Sequence, residues 1–465
     1  MSLSKWSDVA REDVAAIRSA LIDAHPGALE DRNSEFNSWL TLGFLRANEL
    51  AQKASSRPDA LAIARYYAVG FKDGHLGVVY QAATASKWAG WMVTKQGEDF
   101  IVGHVADDWP VQVPPIGSKL LSCDGKEISA LVSTEIAPYV DQRLSLDASW
   151  LFLTKLITLD HSSIPLLGRK LVKQCRVEHA RGAQKTYVIN WQPVDGGRLL
   201  ANPRQSSSFN ITPFSNNGYW IQIPTFNLSN DEIPIFDSFI NGFRRISESK
   251  LIVLDVRGNT GGNSIYGTRI LNELFESGLQ GDAVGIEPYA LWRTSPLALS
   301  TITKAAERLS RAHGEDSSEF KFVKQIERLL KQSLAKGDKW VQQPELPSEL
   351  FVSDADEGGT FSGKIILLTD SYCASSCLNF ADSLLSRSNV IHMGHPTSGD
   401  TVYIDTGAVS LPSGATLILP LKVWRHRVRG DNQSYSPAHL FNGDIADTEQ
   451  VKAWLLQKFE SGDTP

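Results

Sequence analysis

The chain contains the stretch Lys364-Ile-Ile-Leu-Leu-Thr-Asp-Ser-Tyr-Cys-Ala-Ser-Ser-Cys-Leu-Asn-Phe-Ala-Asp382. Its first residues predict a buried apolar strand, which runs into a tight turn of small residues and then into a helix. The turn presents Ser375 and Ser376 at the start of that helix, where free backbone N–H groups favour a developing negative charge. Such a turn can hold a serine hydroxyl outward as a nucleophile, although it lacks the G-x-S-x-G pattern. The alternative is a buried strand followed by two serines that only cap the helix.

The sequence that flanks this stretch alternates strands and helices. Such an order predicts an α/β core with parallel strands, and sites on parallel sheets lie at the carboxyl ends of the strands. Ser375 follows one such end, and a glycine-rich turn follows another. The predicted strands are Gly218–Ile223, Leu251–Val256, Lys364–Thr369 and Val390–Gly394.

The glycine-rich turn is Asp255-Val-Arg-Gly-Asn-Thr-Gly-Gly262. Glycines allow backbone N–H groups to approach a ligand without a clash of Cβ atoms, which suits an oxyanion hole or a phosphate loop. A phosphate loop would continue with Gly-Lys-Ser/Thr, whereas Asn263-Ser-Ile265 follows here. An oxyanion role is therefore favoured over nucleotide binding, with a plain strand-to-helix turn as the alternative.

On the N-terminal side of this core, the spacing of hydrophobic residues along the chain changes twice. Residues 1–70 predict helices, and residues 71–200 predict short strands with one helical stretch. Residues 201–460 form the predicted α/β core, into which two charged helices at 296–340 are inserted. We expect this insert to be a lid or a solvated excursion, because it is too polar for a core.

Composition limits the classes of function. The chain has 465 residues, of which 42% are hydrophobic and 21% charged, as in an ordinary globular protein. Its net charge of −6 gives no support for nucleic-acid binding. No run approaches the roughly 18 apolar residues that span a bilayer. The start of the chain has no apolar segment typical of a signal peptide, although this does not by itself indicate a cytoplasmic protein.

The four cysteines form two groups. Cys373 and Cys377 bracket the candidate serine, whereas Cys123 and Cys175 lie far apart in another region. Two disulfides are permitted but not required, and buried small side chains are the alternative. No zinc pattern can be completed from these positions.

A histidine lies in the polar turn Phe71-Lys-Asp-Gly-His-Leu-Gly77, between a predicted helix and a predicted strand. A single histidine in such a turn is usually a surface residue. The sequence alone therefore makes His75 a candidate base only in combination with the serine and glycine motifs.

Together these motifs resemble the C-terminal-processing (tail-specific) serine peptidases and their tricorn-core relatives, over roughly residues 70–445. The family has Asp-Leu-Arg-Gly-Asn-Gly-Gly-Gly where Asp255 to Gly262 lie, and a Ser-Ala-Ser-Glu nucleophile turn where Ser375-Ser-Cys-Leu378 lies. A family Gly-Glu-Pro-Thr-x-Gly-Lys turn is matched by Gly394-His-Pro-Thr-Ser-Gly-Asp400. Gly117-Ser-Lys-Leu-Leu-Ser-Cys-Asp-Gly-Lys126 is similar to a segment of the family's PDZ domain, and Asp73-Gly-His75 to the Asp-x-His turn of members that use histidine.

One departure from the family pattern affects the expected mechanism. The processing peptidases use a Ser–Lys dyad, and their lysine corresponds to Asp400, which cannot act as that base. The resemblance to the tricorn-like members implies Ser375 as nucleophile and His75 as general base, since histidine can deprotonate serine near neutral pH. The relay serine of those members is replaced by Gly74.

The resemblance also implies the remaining members of the site. We expect Asp431 to be the acidic partner of His75, with Asp73 and Asp400 as alternatives. The expected oxyanion donors are the backbone N–H groups of Ser376 and of Gly262 or Gly261.

The implied fold has an N-terminal helical cap, a divergent PDZ-like β domain and a ClpP/crotonase-like α/β core, in an α/β (α+β multi-domain) class. PDZ domains bind extended peptides at a sheet edge, so a peptide or unfolded protein is the expected substrate, with no metal or organic cofactor. A periplasmic or secreted location is expected, because the family is frequently exported. The alternatives are a non-catalytic peptide- or ligand-binding protein on the same fold, and an amidase or esterase.

Overall fold

Four β-sheets organise the part of the chain that the computed structural model describes, residues 5–30, 33–81, 85–200, 202, 208–215, 217–246, 248–275, 288–345 and 361–460. The strands are β1 (Gly77–Val79), β2 (Ser86–Trp88), β3 (Trp91–Gln96), β4 (Asp99–Val105), β5 (Lys119–Cys123), β6 (Lys126–Glu127), β7 (Leu159–Asp160), β8 (Gln174–Glu178), β9 (Gln184–Val188), β10 (Gln192–Val194), β11 (Asn210–Pro213), β12 (Gly218–Gln222), β13 (Leu251–Asp255), β14 (Tyr289–Arg293), β15 (Trp340–Gln342), β16 (Lys364–Thr369), β17 (Val390–Gly394), β18 (Tyr403–Ser410), β19 (Thr416–Arg425) and β20 (His439–Leu440).

Helices cover these sheets. They are α1 (Lys5–Ala24), α2 (Ser34–Ala51), α3 (Arg57–Val69), α4 (Ile128–Leu131), α5 (Ala137–Val140), α6 (Asp147–Leu153), α7 (Lys155–Thr158), α8 (Gly196–Leu200), α9 (Ile233–Asn241), α10 (Ser264–Leu274), α11 (Pro296–His313), α12 (Ser318–Lys336), α13 (Ser376–Leu385) and α14 (Thr448–Glu460). Short 3-10 helices lie at Pro26–Leu29 and Gly242–Arg245, and a π-helical turn lies at Val132–Ile136. None of the helices in the described ranges is both long and apolar enough to cross a membrane.

The predicted α/β core is a six-stranded sheet with the order β11-β12-β13-β16-β17-β20. The neighbours from β12 to β20 pair in parallel, and β11 is antiparallel at the edge. β16 is apolar along most of its length because both faces of this sheet are covered. Its residues Ile365 to Leu368 are fully buried, with α10 and α13 on one face and α14 on the other. The α/β class is confirmed.

A second, antiparallel sheet has the order β1-β19-β14-β15, with β18 also paired to β19. Its hydrophobic core is shared with α1, α2, α3, α11 and α12. The expectation of a lid or solvated excursion at 296–340 was wrong, because Ile302 and Leu330 are buried in this core. Both α11 and α12 carry charged residues, but their apolar residues recur at helical spacing and give each helix one face to bury.

The third region has its own hydrophobic core. Its sheet has the order β3-β4-β5-β8-β9, with β6 paired to β5, and a small sheet β10-β2-β7 lies beside it. The Cys123–Cys175 disulfide joins β5 to β8 at directly opposed positions. The predicted range 71–200 contains this region, except that β1 leaves it to pair with β19.

Candidate active site

The turn between β16 and α13 displays Ser375 at the N-terminus of the helix. Ser375 has φ 55° and ψ −124°, a backbone conformation that non-glycine residues rarely adopt and that is enriched at functional sites. A disulfide between Cys373 and Cys377 closes the turn around this serine. The Cys373 carbonyl also accepts the N–H of Ser398 at 3.0 Å. The turn is therefore held on both sides of the serine.

The glycine-rich turn after β13 lies directly against the serine turn, as adjacent parallel strands require. The carboxylate of Asp370 accepts the N–H of Gly258 at 2.9 and 3.0 Å, and the Ser376 hydroxyl donates to the Gly262 carbonyl at 2.9 Å. Gly261 has φ +93°, and a Cβ there would lie 2.8 Å from the Ser375 Cβ. Only glycine fits at this contact.

Asp370 is buried where these two turns meet. Burial raises its pKa to about 6, the nearby charge of Asp255 adds to the rise, and hydrogen bonds from Gly258 and Tyr372 oppose it. Asp255 is itself paired with Arg257 at 2.7 Å, and both side chains are inaccessible to solvent. A buried ion pair thus stabilises the start of the glycine turn.

His75 reaches the serine from the turn after α3. Its Nε2 lies 3.2 Å from the Ser375 Oγ, across 300 positions of sequence. The backbone N–H of His75 donates to Asp73 Oδ1 at 2.8 Å, which fixes the turn. For Nε2 to accept the serine proton, the neutral ring must carry its own proton on Nδ1. Nδ1 is buried and has no hydrogen-bond partner among the described residues.

Two of the three expected oxyanion donors are available. The backbone N–H groups of Ser376 and Gly262 have no acceptor within the described ranges. The Gly261 N–H, in contrast, donates to the Asn259 side-chain oxygen at 2.9 Å. Ser376 and Gly262 belong to the two turns that pack against each other beside Ser375, where the Ser376 hydroxyl contacts the Gly262 carbonyl.

Comparison with known proteins places this arrangement in a family. Residues 217–435, which contain both turns, match the model of peptidase family S41. This match assigns residues 217–435 to peptidase family S41. The chain is therefore a serine peptidase, and the resemblance to C-terminal-processing peptidases is confirmed for this region. Among curated proteins, none matches the chain.

Solved structures of CPAF share the fold of this peptidase. Mature CPAF has a TM-score of 0.70 at 14% identity, covering 99% of this chain and 99% of that chain. Mature CPAF complexed with lactacystin has a TM-score of 0.69 at 14% identity, covering 98% and 100%. The photosystem II D1 C-terminal processing protease has a TM-score of 0.41 at 13% identity, with 96% of each chain covered. At these identities the likeness to CPAF concerns the fold alone.

The three candidate acids of the S41 site differ in what they contact. Asp431 accepts the Val402 N–H at 2.7 Å and lies 3.7 Å from Arg427, with its side chain half exposed. Burial raises the pKa of Asp431. None of the contacts described for this carboxylate involves His75, so the structure does not join the two residues as expected.

The other two candidates also leave Nδ1 of His75 without a partner. Asp400 is buried between Arg427, at 2.8 Å, and Arg429. Asp73 contacts the backbone of His75 with one oxygen, and its other oxygen lies 3.5 Å from His25 Nε2. Burial alone would raise the pKa of Asp73. The hydrogen bonds and charges of His25 and His75 outweigh this effect and hold the pKa of Asp73 below its ordinary value. Of the three carboxylates, Asp73 is the one that holds the histidine turn.

Residues that the sequence analysis missed surround the histidine turn of this peptidase. The Arg143 guanidinium donates to the Gly399 carbonyl at 2.8 Å and packs over Gly74, where a Cβ would lie 2.5 Å from it. The Asn432 side chain donates to the Lys72 carbonyl at 2.9 Å. These contacts join distant segments, and neither arginine nor asparagine at those positions forms part of a recognisable motif. The one available indication was that Asn432 directly follows Asp431, which the sequence predicted as the acidic partner of His75.

Proposed function

We propose that this S41 peptidase cleaves peptides or unfolded proteins through an acyl-enzyme, with Ser375 as nucleophile and His75 as general base. The observation that supports this proposal is the 3.2 Å contact between His75 Nε2 and Ser375 Oγ. It lies within the range in which a base takes a proton from a nucleophile. The proposal contains no Ser–Lys dyad.

The geometry suggests the order of proton transfers. His75 Nε2 accepts the Ser375 proton as Oγ attacks the scissile carbonyl, and the protonated ring then gives that proton to the leaving amine. A water molecule hydrolyses the acyl-enzyme with His75 again as base. The N–H groups of Ser376 and Gly262 would stabilise the oxyanion, each contributing on the order of 10²–10³ in rate.

The lysine alternative has little geometric support. Asp400 stands where the family lysine is expected and is neutralised by two arginines. Lys155 is the lysine that approaches the nucleophile turn, and burial lowers its pKa. The Lys155 Nζ lies 3.5 Å from the Tyr372 hydroxyl, whereas the side chain that contacts Ser375 Oγ is that of His75. Lys155 therefore provides a matched control for His75.

The region of β3 to β9 contributes to substrate binding in this proposal. It meets the core next to the nucleophile turn, through Lys155 with Tyr372 and through Arg143 with Gly399. An extended peptide bound to the antiparallel sheet in a PDZ-like manner could enter the site at this junction. Both cysteine pairs are disulfide-bonded, which supports a periplasmic or secreted location, because disulfides persist in oxidising compartments.

A hydrolysis assay with an unfolded protein and a peptide library tests the proposal. Ser375→Ala and His75→Ala are each expected to lose at least ~10³ in kcat, whereas Lys155→Met keeps kcat within a few-fold of the wild type, with any change confined to KM. Loss of activity in Lys155→Met with activity retained in His75→Ala would assign the base to the lysine. Cleavage of esters or simple amides without cleavage of peptides would indicate an acyl hydrolase instead.

A further inference from the structure

A second buried histidine lies behind the histidine turn. His25 follows α1, and its side chain is inaccessible to solvent. Its ring stacks on Phe36, with centroids 4.7 Å apart, and meets Tyr403 edge-on at 4.8 Å. His25 Nδ1 accepts the Gly27 N–H at 3.0 Å. An accepting Nδ1 places the proton of the neutral ring on Nε2, so the ring presents an N–H on its far side.

That far side faces Asp73. His25 Nε2 and Asp73 Oδ2 lie 3.5 Å apart, and the Asp73 side chain is only 2% exposed. Neither atom makes a hydrogen bond to any of the described residues. A buried polar group without a partner is costly, and each of these two atoms is the available partner of the other.

The same carboxylate reaches the proposed base. Asp73 Oδ1 accepts the backbone N–H of His75 at 2.8 Å, so one buried side chain links the two histidines. The ionisable groups whose charges act on or with Asp73 are His25, His75, Arg143 and, from the loop after β19, Asp431. Arg143 is itself paired with Asp141 at 2.9 Å. The carboxylate of Asp73 therefore contacts the backbone of His75, and its negative charge interacts with the His75 ring, which becomes positive during the proposed reaction.

We propose that His25 and Asp73 are positioning residues for His75, so that the N-terminal helical region is part of the catalytic apparatus. The carboxylate of Asp73 fixes the turn that carries His75 and stabilises the imidazolium formed when the ring accepts the Ser375 proton. The N–H of His25 fixes the orientation of that carboxylate. Asp73 remains ionised throughout, and no proton moves to it. The inference rests on the proposed role of His75.

The decisive variants separate the polar contact from the packing of the aromatic rings. His25→Phe keeps a ring against Phe36 and Tyr403 but removes the N–H, whereas His25→Gln keeps a side-chain N–H that can reach Asp73. Asp73→Asn keeps an oxygen for the His75 N–H but removes the charge. Phe36→Leu is the control for packing, since it disturbs the ring stack without touching the contact between His25 and Asp73.

The measurement is kcat and KM of the full chain on a peptide substrate from about pH 5 to pH 9, with thermal unfolding as a check on folding. We expect His25→Phe to lower kcat about tenfold at unchanged KM, with most of the loss recovered in His25→Gln. Asp73→Asn is expected to lower kcat by about 10- to 100-fold and to move the acidic limb of the profile to lower pH. Phe36→Leu keeps the wild-type kcat and profile.

Three results would overturn the inference while leaving the proposed function intact. They are wild-type kcat in His25→Phe, equal losses in the phenylalanine and glutamine variants, and an unshifted acidic limb in Asp73→Asn. If His25→Phe fails to fold, the profile of Asp73→Asn decides. Full activity in His75→Ala would instead contradict the proposed function itself.

Discussion

The nucleophile turn and the histidine turn meet at one contact but are held in different ways. The turn around Ser375 is fixed by its own disulfide and by the adjacent glycine turn, whose strand is the neighbour of β16. The turn around His75 is fixed by side chains from far along the chain, among them His25 and Asn432. The nucleophile turn is therefore held by a disulfide within itself and by the neighbouring strand of the same sheet, whereas the histidine turn depends on contacts between distant segments of the fold.

Among the changes that alter how the two turns are held, the largest expected effect comes from the contact between the glycine turn and the nucleophile turn. Gly261→Ala places a Cβ 2.6 Å from the Ala374 carbonyl oxygen, at a φ of +93°. Because a displacement of about 1 Å at an active site can cost about 10²-fold, we expect kcat/KM for peptide hydrolysis to fall by at least that factor. Gly125→Ala is the control, with φ +81° and no atom within 4 Å of the added Cβ. Equal effects of the two variants would show that backbone strain alone, and not the contact, is responsible.

The two disulfides provide the next comparison. Replacing Cys373 and Cys377 together by alanine frees the turn that displays Ser375, and we expect kcat to fall about tenfold, within the range that small misplacements cause. Replacing Cys123 and Cys175 together removes a link between β5 and β8, away from the serine. That variant is expected to lower the melting temperature and leave kcat within a few-fold. A larger loss of kcat in the second pair than in the first would contradict the local anchoring of the nucleophile turn.

The two turns also contain carboxylates with opposite pKa shifts. Burial raises the pKa of Asp370 to about 6, so its contribution to the free energy of unfolding is present below about pH 4 and is lost as the pH rises to about 6. The pKa of Asp73 is lowered, so its contribution is present above about pH 4 and is lost as the pH falls through the folded-state pKa.

Urea unfolding of Asp370→Asn and Asp73→Asn between pH 3 and pH 8 measures both contributions. Relative to the wild type, Asp370→Asn is expected to gain stability between about pH 4 and pH 6, by on the order of 3 kcal/mol. Asp73→Asn is expected to be destabilised at pH 7 and less so at pH 3. The same sign of pH dependence in both variants would be inconsistent with these shifts.

The smallest expected effect is that of replacing Asp431, which the sequence predicted as the acidic partner of His75. Asp431→Asn retains an oxygen for the Val402 N–H, and the carboxylate has no described contact with His75. We expect kcat to change by less than about twofold, with the pH profile unmoved. A loss of tenfold or more would restore Asp431 as the acidic partner of His75 and imply that the loop rearranges when substrate binds.

The sequence predicted the nucleophile turn well, for a physical reason. An apolar run bounded by small residues is typical of a buried strand, and β16 spans the predicted Lys364–Thr369. The glycine turn was predicted at the same edge of the sheet, because the carboxyl ends of parallel strands lie at one edge. His75 was identified through its resemblance to a family motif, since a histidine in a polar turn has no periodicity of its own.

Other parts depended on tertiary contacts that no local pattern encodes. His25 belongs to none of the motifs found in the sequence, yet its ring is buried and its Nε2 faces Asp73. The charged residues of the 296–340 insert concealed the apolar faces of α11 and α12, which pack into the core of the second sheet. In both cases the residues that bury the side chain lie tens or hundreds of positions away in the sequence. The composition of a short stretch therefore did not show that these side chains are buried.

Intact-mass analysis after reaction with a fluorophosphonate probe tests the contact between Ser375 and His75 most directly. The wild type is expected to gain one adduct, Ser375→Ala none, and His75→Ala an adduct at a greatly reduced rate. Ser371→Ala, from the same turn, is expected to react like the wild type. An adduct that persists in Ser375→Ala, or undiminished reaction in His75→Ala, would contradict the assignment of this pair as nucleophile and base.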